Sequence, residues 1–236
     1  LNSVGVCYFY KGDSDLAIRY TKESLAIYKN HFEEDHHLMG PCLNNLGLCY
    51  NQKGNYALAI DYYQKSLAVR KKDQDWEHPY VALKLNNIGT CYSNKGDYDL
   101  AIRYHQEAAA IYKKVLGEEH IYRAMCLINL GRCYLYKEEY NAAIKHHQTA
   151  LDICKEQLGE EHPNLAHSFQ AIGNSYFVKG DYEQAIEHHQ KSLIIRKKSL
   201  GEEHTIVATT LDTIGACYTE KGAYALAIPF VQKALA

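Results

Sequence analysis

One spacing governs this chain. Glycine recurs at Gly5, Gly47, Gly89, Gly131, Gly173 and Gly215, a register of 42 residues that never slips. Tyrosine holds the position three residues later, at Tyr8, Tyr50, Tyr92, Tyr134, Tyr176 and Tyr218. Alanine holds a third rung, at Ala17, Ala59, Ala101, Ala143, Ala185 and Ala227. A fixed period of this kind marks a stacked array. One short unit cannot bury its apolar face alone, so neighbouring copies complete its core. Core size then grows with the number of copies, and the 236 residues need not divide into globular domains.

Each copy reads as two helices. In the third, Pro79 opens helix A in its first turn, where a missing N–H costs nothing. Helix A runs to about Asn94, and Lys95-Gly96-Asp97 is a turn signal. Helix B runs from about Tyr98 to Val115 and stops at Leu116-Gly117, where glycine can take a left-handed cap. The phrase Leu-Gly-Glu-Glu-His returns at 158–162 and 200–204. The linkers Phe32-Glu33-Glu34-Asp35-His36 and Gln74-Asp75-Trp76-Glu77-His78 lack that glycine cap. Pro229 falls near the start of the last helix B, a position compatible with helix only in the first turn or so.

The small residues explain how the helices pair. Glycine at the Gly89 position and alanine at the Ala101 position let A and B approach closely, with the Tyr92 and Tyr98 types as large fillers. Those two ladders hold eleven of the 21 tyrosines, so the aromatic excess reads as packing.

Composition narrows the function. A formal charge of −2 leaves no basic face for nucleic acid. No apolar run is long enough for a membrane span, and no signal-peptide pattern is present. Neither end carries the polar face of a capping unit, so the chain reads as a segment of a longer protein. Five of the eight cysteines (Cys7, Cys49, Cys91, Cys133 and Cys217) share one rung, with Ser175 in the fifth copy. Equivalent positions in stacked helices lie about 8–10 Å apart, beyond the ~7 Å Cα limit of a disulfide. Small buried thiols in a reducing cytoplasm are expected instead.

Histidine offers the strongest enzymatic reading. His105, His147 and His189 follow the register, with His146 and His188 beside two of them. A ladder sets such side chains one repeat apart, so they cannot converge on one ion. Thr21, Tyr63 and Val231 hold the same rung elsewhere, which suggests a packing or semi-exposed position on helix B. His-Glu-x-x-His, a glycine-rich phosphate loop and a Gly-x-Ser-x-Gly turn are all absent. No metal, cofactor or catalytic residue is expected.

The unit resembles a tetratricopeptide repeat, in Leu-Gly-x-x-Tyr, Gly-x-Tyr, Ala-Ile and a small residue seven later. The 42-residue length, Leu43-Asn44-Asn45-Leu46-Gly47 and Leu158-Gly159-Glu160-Glu161-His162-Pro163 are similar to the repeats of kinesin light chains and the proteins sharing that subtype. The resemblance covers the whole chain. It implies an all-α fold, an α-solenoid of stacked antiparallel helix pairs wound as a right-handed superhelix. The six repeats, with truncated ends, would fall at 1–36, 37–78, 79–120, 121–162, 163–204 and 205–236.

The resemblance also implies a site. In that family one face of helix A lines the concave groove that binds extended peptides. By helical geometry Leu85, Ile88, Gly89 and Tyr92 share the apolar face of helix A, and Asn86 and Asn87 fall on the opposite arc. Asn44, Asn45, Asn86, Asn87, Asn129 and Asn174 would pair with a peptide backbone, since each amide is both donor and acceptor. Leu135, Tyr136, Phe177 and Val178 would receive a bulky side chain. Arg132 would take a carboxylate. The expected function is a non-catalytic, cytoplasmic adaptor that binds a protein or short linear peptide and works as a monomer. The alternative is a regulatory, sensor or self-associating segment packed against another domain of a larger signalling protein.

Overall fold

The structure is a computed structural model, and it describes residues 1–32, 36–70 and 77–235. Most of the two glycine-free linkers, residues 33–35 and 71–76, lies outside the described residues. Twelve helices are described, in antiparallel pairs. The A helices are α1 (Asn2–Lys11), α3 (Met39–Gln52), α5 (Pro79–Lys95), α7 (Ile121–Tyr136), α9 (Leu165–Lys179) and α11 (Thr205–Glu220). The B helices are α2 (Ser14–His31), α4 (Tyr56–Arg70), α6 (Tyr98–Leu116), α8 (Tyr140–Leu158), α10 (Tyr182–Leu200) and α12 (Tyr224–Leu235). They form two compact units of three pairs each, Leu1–Leu116 and Gly117–Ala236.

Within each pair the glycine has a specific partner. A Cβ on Gly89 would sit 2.8–3.0 Å from the His105 ring, and one on Gly131 would sit 2.3–2.9 Å from His147. Gly47 faces Tyr63, Gly173 faces His189, Gly5 faces Thr21 and Gly215 faces Val231. So the histidine rung is a packing position, and its rings are buried. The tyrosine three residues after the glycine stacks on the residue twelve positions further on, not on the Tyr98 type. Tyr8–Tyr20, Tyr50–Tyr62 and Tyr92–Tyr104 all lie at 5.4 Å between centroids, within 8° of parallel. His146 and His188 continue that second rung, stacking on Tyr134 at 5.2 Å and Tyr176 at 5.6 Å. The doubled histidines are therefore two ladders side by side. One packs on glycine and the other on tyrosine.

Within each unit, apolar residues of one helix B meet the next helix A. Ile60 and Tyr63 cluster with Ile88 and Cys91, and Leu193 clusters with Val207, Leu211 and Ile214. Cys49, Cys91, Cys133 and Cys217 are buried free thiols, while Cys7 in α1 is exposed. Burial pushes the Cys91 thiol up to about 12.

Side-chain caps mark the helix starts. Asp13, Asp97 and Asp181 accept from Leu16, Leu100 and Gln184 N–H, satisfying donors that the first turn leaves open. Before α5, α7, α9 and α11 a histidine Nδ1 is the acceptor instead. His78, His120, His162 and His204 accept from the N–H two residues on, at 3.0–3.2 Å.

Two local expectations need correction. Gly159, which follows α8, has φ 83° and ψ 159°, so it is not a left-handed cap. That region is still open essentially to glycine alone. Pro229 lies in the second turn of α12, not the first. Proline there removes the donor that Ala225 C=O would receive.

Candidate functional site

The predicted amides of the first unit are largely engaged in holding repeats together. Asn45 Nδ2 donates to Asn2 Oδ1 at 3.1 Å, which ties α3 to α1. Asn44 Oδ1 accepts from Lys84 Nζ at 2.5 Å, which ties α3 to α5. Lys84 is only 1 % exposed, and its ammonium also lies 4.2 Å from the Tyr80 ring centroid. A buried ammonium needs such partners, because desolvation is costly without them. Asn86 is not on an open face. It is buried, and its Oδ1 lies 2.8 Å from His105 Nδ1. Asn87 stays half-buried beside it.

The second unit holds a cavity of about 290 Å3 between α7 and α9. Ile128, Asn129, Arg132 and Leu135 line it from α7, and His167, Gln170, Ala171 and Asn174 line it from α9. Four predicted residues thus come together: Asn129, Arg132, Leu135 and Asn174. Tyr136 and Phe177 do not line the cavity. Tyr136 is exposed at the end of α7, and Phe177 packs edge-on against Tyr182 at 5.7 Å.

Two further residues come from B helices. His147 reaches the cavity from α8, because Gly131 has no side chain to block its ring. His147 Nε2 lies 3.2 Å from Ile128 O and Nδ1 lies 3.0 Å from Ser175 Oγ. A carbonyl only accepts, so Nε2 carries the proton, and Nδ1 shares the one Ser175 hydroxyl proton with Ala171 O, which lies 2.8 Å from Ser175 Oγ. Burial holds the His147 pKa down at about 4, so the ring is neutral. Arg196 of α10 donates to Gln170 Oε1 and to Thr210 Oγ1, both at 2.6 Å. That occupies the Gln170 oxygen and leaves its NH2 for a ligand. The rung register gave a signal for His147, since each such residue faces a glycine. Nothing in the pattern singles out Arg196.

The cavity is electropositive. Arg132 has no carboxylate partner among the described residues. His167 has its pKa lowered, first by partial desolvation and then by the charges of Arg196 and Arg132. An unpaired guanidinium, two amides and an apolar wall suit a carboxylate beside an extended chain. Among the described residues no group of three His, Cys, Asp or Glu side chains could hold a metal ion. Nor is any described helix long and apolar enough to cross a membrane.

Comparison with known proteins agrees with this architecture. A tetratricopeptide repeat family model matches residues 1–72, 80–156 and 170–236. No curated protein matches the sequence significantly. Among solved structures, BtubC (BKLC) from P. vanneervenii superposes with a TM-score of 0.80 at 19% identity, covering 94% of this chain and 89% of that one. A putative kinesin light chain from Podosopora anserina, with nearly identical TPR-like repeats, gives 0.71 at 22% identity, covering 81% of this chain and 91% of that one. A Rap protein complexed with competence and sporulation factor gives 0.67 at 18% identity, covering 83% of this chain and 52% of its own. At these identities the likeness is one of fold. With helix pairs, glycine rungs and the family model in agreement over most of its length, the chain belongs to the tetratricopeptide repeat family.

Proposed function

We propose that this chain is a non-catalytic interaction scaffold that holds an extended partner segment along its A helices, as a monomeric cytoplasmic adaptor. The observation that carries this reading is the α7–α9 cavity, with its unpaired Arg132. Arg132 takes a carboxylate of the partner. Asn129, Gln170 and Asn174 pair with its main chain, and Leu135 supplies apolar contact. The family supports the general role, since tetratricopeptide repeats bind proteins and peptides. The Rap protein's complex with competence and sporulation factor supports ligand binding on a fold of this kind.

A random peptide library panned against the wild-type chain and against Arg132→Ala with Asn129→Ala tests the proposal. Enrichment of carboxylate-bearing peptides that bind the double variant at least about tenfold more weakly supports it. Failure to enrich any motif, or enrichment indifferent to both changes, removes the groove assignment.

A further inference from the structure

The junction of α8, α9 and α10 departs from the ladder that the other repeats keep. Phe169 of α9 stands where the register places Leu43, Leu85, Leu127 and Leu211. Ile194 of α10 stands where it places Ala26, Ala68, Ala110, Asp152 and Ala236. Two positions in one place have therefore gained apolar bulk, and between them lies a pocket of about 250 Å3. Phe169 forms its floor at 7% exposure, while Ile194 stands 67% exposed at its wall. A single exposed isoleucine needs no explanation. Here it stands beside a ring that the same repeat has enlarged.

The charge around the pocket is also particular. Lys155 Nζ lies 5.7 Å and Lys191 Nζ 5.9 Å from the Phe169 ring centroid. Lys191 is paired with Glu187 at 2.7 Å, and Lys198 is paired with Glu161. Lys155 has no carboxylate partner among the described residues. No lining residue is shared with the α7–α9 cavity, so this is a separate surface.

We propose that this pocket docks a partner polypeptide in which a large apolar side chain lies next to an acidic residue. The apolar side chain fills the space between Phe169 and Ile194, and the carboxylate meets Lys155. The volume suits one side chain and falls below the roughly 300–1,000 Å3 of small-molecule sites. Glu160 and Glu161 at the rim disfavour an anionic membrane surface, which selects unbroken basic clusters.

The test pans a phage-displayed random peptide library on the whole chain and measures synthetic peptides of the enriched motif by fluorescence polarisation. Ile194→Ala restores the residue that four other repeats carry, so folding is retained, and circular dichroism checks this for each variant. The expected result is an apolar–acidic motif that binds Ile194→Ala and Lys155→Glu at least about tenfold more weakly, with Arg132→Ala unchanged. No such motif, or a motif weakened only by Arg132→Ala, overturns the proposal. A mass that rises with concentration in the wild type and not in Ile194→Ala would identify a second copy as the occupant, which also overturns it. Because Arg132→Ala reports on the α7–α9 cavity alone, failure of either site is distinguishable from failure of the other.

Discussion

The buried histidines make different demands of their neighbours. His147 has both ring nitrogens satisfied, by Ile128 O and Ser175 Oγ. His189 occupies the same rung one repeat on, yet neither of its buried nitrogens has a hydrogen-bond partner. Its counterpart of Ser175 in the register is Cys217, a weaker donor. So Ser175→Ala should destabilise the chain by about 1–3 kcal/mol, the cost of an unpaired buried acceptor. Cys217→Ser should stabilise it by about 1 kcal/mol, the net worth of a new hydrogen bond. Urea denaturation of the two variants beside wild type checks both signs. Equal effects in the same direction would remove this account.

Among the helices, the fourth repeat has the weakest turn. Gly12, Gly96 and Gly180 end their A helices in the left-handed conformation, and Glu138 holds that place before α8 with φ 61°. The next residue is Glu139, which makes no side-chain cap, where Asp97 and Asp181 cap theirs. Glu138→Gly should add about 1 kcal/mol by relieving the left-handed strain. Glu139→Asp should add about 1 kcal/mol by restoring the cap. Thermal unfolding of each variant tests the pair. A second weak point is Pro229 in α12. Pro229→Ala should slow amide exchange in α12, with up to about 3 kcal/mol recovered locally. Unchanged exchange there would show that the helix accommodates the ring without loss.

Over the whole molecule, stability should fall in acid. His147 and His189 are each held down to about 4 from the ordinary 6.5, with burial as the main cause. The folded chain keeps both neutral, and the unfolded chain takes up protons first. Their contribution is therefore complete above pH 6.5 and is lost as pH falls toward 4. The slope is about 1.4 kcal/mol per pH unit for each ring over that window. Denaturation midpoints measured at about pH 7 and about pH 5 should differ by several kcal/mol in stability. A midpoint constant across that window would contradict the burial of these rings.

Much of this was legible in the register alone. A period that never slips determined the helix pairs, their order, the glycine contacts and the thiol rung, because each copy must present the same faces to its neighbours. It also placed Asn129, Arg132, Leu135 and Asn174 on one arc of helix A. The tertiary structure decided which of the amides were drawn into contacts between helices. Asn44 and Asn86 share that arc but are drawn to Lys84 and His105, because a buried charge or ring must find a polar partner nearby. It likewise decided that His147 reaches the cavity over Gly131 and that Arg196 holds Gln170 in place. Those contacts join different helices. A helical period describes one helix at a time, so only packing determines which side chains meet across the gap.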